Sequence, residues 1–278
     1  DPLSKFGTKF KLNNNKYLPL TIKGSANLNS IKYFENKGSA QCKSSVIFGG
    51  LRAKGKTIIK ARKSRNHTEL MLNHLNLPIE VKSKKKYDFI KISQVKKINK
   101  LNYNIPSDIS SSSFFIVLTA LSNNSKLKIK NVNVNPTRVG VLTILKMMGV
   151  DIKFKNIKNY KGEKIADLII KSKKQLKAIN CPTNLNTAAI DEFLLIFLVA
   201  AKAKGISYFK NLSELNQKES PRLLWGSRIL NKMGVKNIIK GDSIKIFGNP
   251  NLNVKKKIII NKFLKDHRVF MASVVAAL

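Results

Sequence analysis

A mixed α/β fold, built from a repeated strand–helix–strand–helix–strand–strand unit, is predicted by three observations. The chain has 278 residues, 43% of them hydrophobic, which suits about two domains with real cores. Four segments share a polar opening, an apolar stretch and then small residues or a break. A second kind of helix recurs between them at a matching interval.

The four segments of the first kind are SAQCKSSVIFGGLRAKGKTIIK (Ser39–Lys60), DISSSSFFIVLTALSNNSKLKIK (Asp108–Lys130), DEFLLIFLVAAKAKGISYFK (Asp191–Lys210) and DHRVFMASVVAAL (Asp266–Leu278). Counted from Ala40, Asp108, Asp191 and Asp266, they begin 68, 83 and 75 residues apart. Each opening is expected to start a helix, with Ser or Asp capping free backbone N–H groups. TIIK, LKIK and ISYF read as the short strands that follow.

The helices of the second kind are SRNHTELMLNHLN, TRVGVLTILKMMG and RLLWGSRILNKMG, each running from an Arg to an Asn or Gly 11 or 12 residues on. Leu72, Leu145 and Leu230 stand four positions before that stop, and Leu75, Met148 and Met233 just before it. Asn or Gly there is the left-handed end of a helix. VDIKF and DSIKIF alternate as strands do. DPLSKFG, with Leu3 and Phe6 before Gly7, reads as the last turns of a helix of the second kind. The final segment stops before its strand, so the chain is expected to be an internal fragment of a longer protein.

Charge is the unusual feature of the composition: 53 basic against 15 acidic residues, a formal +38. Only seven of the basic residues are Arg, leaving 46 Lys, and Asn numbers 30. The lysines are scattered, which points to a compositional origin. So few Arg also suit guanine reading and bidentate phosphate clamps badly, and no aromatic grouping on a strand face is expected. Nucleic acid is therefore not an expected partner. The apolar runs Phe114–Leu121 and Phe193–Ala201 are too short to span a bilayer. Two Cys exclude a disulfide framework and make a reduced, cytoplasmic setting the default; His67, His74 and His267 lack metal-site spacing.

Eight motifs then occur in one order: SAQCKS (Ser39–Ser44), SRNHTE (Ser64–Glu69), DISS (Asp108–Ser111), NPTR (Asn135–Arg138), MMGV (Met147–Val150), IDE (Ile190–Glu192), EL–KES–R (Glu214–Arg222) and DHR (Asp266–Arg268). By these the chain resembles the enolpyruvylshikimate-phosphate synthase family across nearly its whole length. The resemblance implies a two-lobed inverse α/β pseudo-barrel of βαβαββ units. Residues 1–104 would be part of one lobe, incomplete at its N-terminal side. Residues 105–278 would be most of the second, incomplete at its C-terminal end, with substrates in the cleft between.

The implied reaction moves an enolpyruvyl group from phosphoenolpyruvate to the 5-hydroxyl of shikimate 3-phosphate and releases phosphate. It needs no cofactor or metal, and a monomer with no membrane partner is expected. Four of the seven Arg fall inside the motifs: Arg65, Arg138, Arg222 and Arg268. Arg offers a planar fork for carboxylate or phosphate, and helix N-termini add oriented N–H groups. By resemblance, Arg222 and Arg268 bind phosphoenolpyruvate, and Ser39, Ala40 and Gln41 bind shikimate 3-phosphate near Ser64 and Arg65. Asp191 is the base for the attacking hydroxyl, and Glu219 moves the proton at the methylene carbon. Lys218 binds substrate and biases the two carboxylates, while His267 lies near the released phosphate.

The plain alternative for Asp191 is a helix cap, and for Arg138 a structural role in an Asn-Pro cap. Three positions depart from the family pattern: Ser107 for a turn glycine, Asn66 for an Asp, and Pro221 for an Asp, with Ser220-Pro221 read as cap and first helical position. Transferase activity of these 278 residues alone is not expected. Other readings are an enolpyruvyl transferase acting on a UDP-amino sugar, a basic nucleic-acid-binding module, or a binding-only relative.

Overall fold

The computed structural model describes residues 2–14, 17–173, 175–254, 257–260 and 265–278. Two compact units divide it: residues 1–104 with 161–163, and residues 105–160 with 164–278.

The first unit opens on a 3-10 turn, Pro2–Phe6, that buries Phe6 and stops at Gly7 with φ +104°. The stop is where the sequence places it, but the helix is of the tighter i→i+3 kind. Strands β1 (Lys9–Asn13) and β2 (Tyr17–Lys23) then form an antiparallel pair. The repeat proper follows as β3 (Lys32–Glu35), α1 (Ala40–Gly50), β4 (Lys56–Arg62), α2 (His67–His74), β5 (Ile79–Ser83) and β6 (Tyr87–Ser93). The sheet order is β3-β4-β6-β5, with β3 and β4 parallel and the other pairs antiparallel. Parallel neighbours need a crossover, and α1 supplies it. Thr57, Ile59 and Ala61 alternate inward along β4 and meet Val46 and Ile47 of α1, with Ile90 and Ile92 of β6 beside them.

The second unit runs through the same plan twice. Its first pass is α3 (Ile109–Leu121), β7 (Lys126–Asn133), α4 (Gly140–Met147), β8 (Asp151–Tyr160) and β9 (Glu163–Lys171), in sheet order β7-β9-β8. The opening strand is reduced to one parallel bridge, Ser107 to Val132. The second pass is β10 (Leu176–Lys177), α5 (Asn186–Ala189), α6 (Phe193–Lys202), β11 (Ala203–Phe209), α7 (Arg222–Lys232), β12 (Asn237–Lys240) and β13 (Ser243–Gly248). Its order, β10-β11-β13-β12, reproduces that of the first unit. Helix α8 (His267–Ala277) follows. Every residue of α6 from Phe193 to Ala201 is buried, and α3, α4, α7 and α8 pack around it. A helix apolar on all sides is one enclosed on all sides.

The helix stops lie where the sequence puts them: Asn76, Gly149 and Gly234 have φ of +53°, +91° and +77°. Ser39, Asp108 and Asp266 accept backbone N–H bonds as caps of α1, α3 and α8. The third opening differs. Helix α6 begins at Phe193 after the short helix α5, and its cap residue Glu192 makes no side-chain cap bond, so Asp191 is not a cap.

Three smaller expectations are corrected. Pro136 lies in a turn held by Asn135, whose Oδ1 accepts from Thr137 N at 2.8 Å, and α4 starts only at Gly140. Pro221 is itself the cap position of α7, and the Ser220 hydroxyl donates to Asp266 at 2.7 Å instead of capping. Aromatic residues do group on strand faces: Lys60 Nζ lies 4.9 Å and 4.7 Å over the rings of Phe34 and Tyr87, and Lys245 5.2 Å and 4.9 Å over those of Tyr208 and Phe247. Period-two strands bring side chains of neighbouring strands together, a pairing that linear spacing conceals. Ser107, for its part, is unstrained. Its N–H donates to Asn131 O, its C=O accepts from Asn133 N, both at 2.9 Å, and its φ is not positive.

Candidate active site

In the second unit, three segments bring opposite charges together: the turn before α6, the loop into α7 and the first turn of α8. Asp191 Oδ1 lies 3.6 Å from Lys218 Nζ and 3.4 Å from Arg222 Nη1, and its Oδ2 lies 4.0 Å from Arg268 Nη2. Arg268 Nη1 also donates to the Asp191 carbonyl at 3.2 Å. Because α6 is entered through α5, the Asp191 carboxylate turns toward these cations and not toward its own helix.

Arg222 is 1% exposed. Its Nε donates to Asp266 Oδ2 at 2.9 Å, its Nη2 to Asp266 Oδ1 at 3.3 Å and also to Glu219. Asp266, with no exposed surface, is held from three further directions: Ser220 Oγ, Arg268 N at 2.9 Å and Val269 N at 3.4 Å. Burial pushes its carboxyl upward, but the Arg222 and Ser220 hydrogen bonds outweigh that and leave it below the usual range. One buried carboxylate thus caps α8 and orients the guanidinium of α7.

A second buried carboxylate stands behind Arg268. Glu192 is 2% exposed, accepts from Ser110 Oγ at 2.5 Å and lies 3.6 Å from Arg268 Nη1. Ser110 in turn accepts from Arg138 Nη2 at 2.6 Å, and Arg138 pairs with Asp108 at 3.0 Å. Arg138 therefore has the structural role expected of it, through α3 and not through a proline cap. Glu219 is well exposed, Lys218 reaches Glu214 as well as Asp191, and His267 is exposed at the first position of α8. Asp191, Lys218, Glu219, Arg222 and Arg268 form one cluster, with His267 at its border.

In the first unit, Glu35 accepts the N–H groups of Lys37 and Gly38 at 2.9 Å and 2.8 Å and turns the chain into Ser39. Ser39 Oγ then accepts from Cys42 N at 3.2 Å, leaving Ala40 and Gln41 in the first turn of α1. Ser64 and Arg65 lie in the loop before α2. The Ser64 hydroxyl is buried without a hydrogen-bond partner. Asn66 stands at the cap position of α2 with no side-chain cap bond. Lys43 of α1 donates to the Arg65 carbonyl at 2.8 Å and pairs with Glu69 at 2.7 Å.

Sequence reasoning passed over Asp266, Glu192, Ser110 and Lys43 as site residues, although each lies inside a quoted motif. Motif membership was the available signal; full burial was not visible. Among the described residues, no group of three or more His, Cys, Asp or Glu could hold a metal ion, and no helix is long and apolar enough to cross a membrane.

The repeated unit is that of the enolpyruvyl transferases. The crystal structure of an enolpyruvyl transferase from Streptomyces tendae covers 100% of this chain and 63% of its own, with a TM-score of 0.68 at 14% identity, a likeness of fold. The chain belongs to the EPSP synthase (3-phosphoshikimate 1-carboxyvinyltransferase) family, whose profile matches residues 1–278. EPSP synthase from Acinetobacter baumannii is similar over 99% of this chain and 62% of its own, with a TM-score of 0.84 and 34% identity. The 3-phosphoshikimate 1-carboxyvinyltransferases of Ruthia magnifica and Petrotoga mobilis are 40% and 36% identical over all of this chain. The chain spans 62% and 63% of the lengths of those two relatives.

Proposed function

We propose that the protein carrying this chain transfers the enolpyruvyl group of phosphoenolpyruvate to the 5-hydroxyl of shikimate 3-phosphate, releasing phosphate. The observation that carries this reading is the Asp191–Lys218–Arg222–Arg268 cluster, three motif cations within 4.0 Å of one motif carboxylate. Both substrates are polyanions. Arg222 and Arg268 offer forks for the carboxylate and phosphate of phosphoenolpyruvate, and Asp266 and Glu192 hold those forks in place. Ser39, Ala40, Gln41, Ser64 and Arg65 take shikimate 3-phosphate; the unpartnered Ser64 hydroxyl supports a ligand there.

In the addition step, Asp191 accepts the proton of the 5-hydroxyl as its oxygen bonds to C2 of phosphoenolpyruvate. Glu219 supplies the proton that C3 takes up. In the elimination step, C3 returns a proton to Glu219, the C2–O bond to phosphate breaks, and the enol ether is left. Lys218, within reach of Asp191 and Glu214, offers its ammonium to the substrates beside the base. His267 stands by the leaving phosphate. The same reading makes the protein a cytoplasmic monomer, with the segments 1–104 and 105–278 belonging to two lobes.

The test is phosphate release from phosphoenolpyruvate with shikimate 3-phosphate, run beside the same assay with UDP-N-acetylglucosamine as acceptor. Shikimate 3-phosphate should be the productive acceptor. Asp191→Asn and Glu219→Gln should each lower turnover by about a hundredfold or more. Preference for the UDP-sugar, or full turnover in Asp191→Asn, would overturn the reading.

A further inference from the structure

Lys43 is a further charged side chain withdrawn from water, and the chemistry above makes no use of it. It projects from α1 one turn past Ser39 and is fully buried. Its ammonium donates to the Arg65 carbonyl at 2.8 Å and lies 2.7 Å from Glu69 Oε1 on α2. Glu69 is 3% exposed, and neither of its oxygens has a hydrogen-bond partner of good geometry, so its charge is balanced by Lys43 alone among the contacts described. A second, neutral link joins the same helices: Ser44 Oγ lies 2.7 Å from Thr68 Oγ1.

A buried ion pair seldom adds stability, because desolvating both charges offsets their attraction. Its use here is better sought in geometry. The Lys43 ammonium ties together two segments that are distant in sequence: the first turn of α1, carrying Ser39, Ala40 and Gln41, and the loop carrying Ser64 and Arg65. A charge-assisted bond to a backbone carbonyl fixes the loop without occupying any side chain that could face a ligand. We propose that Lys43 is a positioning residue: with Glu69 as its counter-charge, it holds the Ser64–Arg65 loop in register with the start of α1, so that both present their groups to one phosphorylated ligand. The ligand assignment rests on the function proposed above; the tie itself does not.

The experiment compares the protein carrying this chain, as parent, with its Lys43→Met/Glu69→Met and Glu69→Gln variants. Lys43→Met alone strands a buried carboxylate and is avoided; the double variant removes both charges and keeps the apolar volume. Three quantities are read: melting temperature, hydrogen exchange of the peptide spanning 63–66, and the dissociation constant for shikimate 3-phosphate by calorimetry. The double variant should melt at or above the parent temperature, exchange faster at 63–66, and bind about tenfold more weakly, since small misplacements of binding groups are costly. Glu69→Gln leaves the Lys43 ammonium without its counter-charge and should lower the melting temperature. Because the bond to the Arg65 carbonyl is kept, exchange at 63–66 and affinity should stay near parental. A double variant with parental exchange and parental affinity overturns the inference. A parent that fails to bind shikimate 3-phosphate, while exchange at 63–66 still depends on Lys43, overturns the ligand and leaves the tie standing.

Discussion

Glu192 sits between a hydroxyl and a guanidinium, and its environment pulls its titration in opposite directions. Burial pushes its carboxyl above the usual range, and the Ser110 hydrogen bond and the Arg268 charge only partly oppose that. The folded state therefore binds this proton more tightly than the unfolded chain does. Its contribution to stability is greatest below the unfolded value and is lost as pH rises through the folded one. Glu192→Gln keeps the shape and cannot titrate. The variant should therefore gain stability relative to the parent between about pH 4 and pH 7, starting near the ordinary Glu pKa of about 4.3. Urea unfolding of both proteins across that range checks it, and a difference that stays constant or shrinks contradicts it. Asp266 has the opposite sign: its lowered carboxyl contributes stability above the unfolded pKa, and that is lost as pH falls through the folded one. Two buried acids, one behind Arg222 and the other behind Arg268, thus differ in sign, and only their neighbours distinguish them.

At the scale of elements, what positions Asp191 is the short helix α5, pressed against the start of α4. A Cβ built on Gly140 would lie 2.8 Å from the carbonyl carbon of Ala188 and 2.9 Å from its Cβ. Backbone cannot swing aside as a side-chain tip can. Gly140→Ala should destabilise the protein by about 1–3 kcal/mol through overpacking, less about 1 kcal/mol regained from helix propensity. It should also shift α5 and lower turnover. Gly24→Ala is the control, because nothing lies within 4 Å of a Cβ there. Paired thermal melts decide the point; equal stability of the two variants would falsify the close-packing argument. Elements were also the most legible scale. Asn76, Gly149 and Gly234 end their helices as their spacing predicts, and Ser39, Asp108 and Asp266 cap theirs. Capping and left-handed stops are local chemistry, written within four residues. The Asp191 opening has the same composition but no cap bond, since α5 intervenes and no local rule marks a helix of four residues, Asn186–Ala189.

Over the whole molecule, the formal +38 leaves far more repulsion than attraction. Ion pairs at the surface are worth at most about 1 kcal/mol each, and salt weakens them. The unpaired lysine field is weakened at the same time, and it is the larger effect for 53 basic against 15 acidic residues. Raising sodium chloride from about 0.01 M to about 0.15 M shortens the screening length from about 30 Å to about 8 Å. The melting temperature should rise over that interval; a fall would mean that the ion pairs dominate. Part of the lysine set also has a packing use that composition hid, spread over aromatic rings on the exposed strand faces.

The sequence by itself determined the repeat, the helix ends, the motif residues and, through its few arginines, the expectation of anionic substrates. Each of these depends on neighbours in the chain or on residue chemistry. The tertiary structure decided which carboxylates are buried, and hence that Asp266 and Glu192 support the arginines and that Lys43 ties a loop to a helix. Those pairs join residues 22 to 76 positions apart. Burial and counter-charge at such separations are properties of packing, which no local pattern encodes.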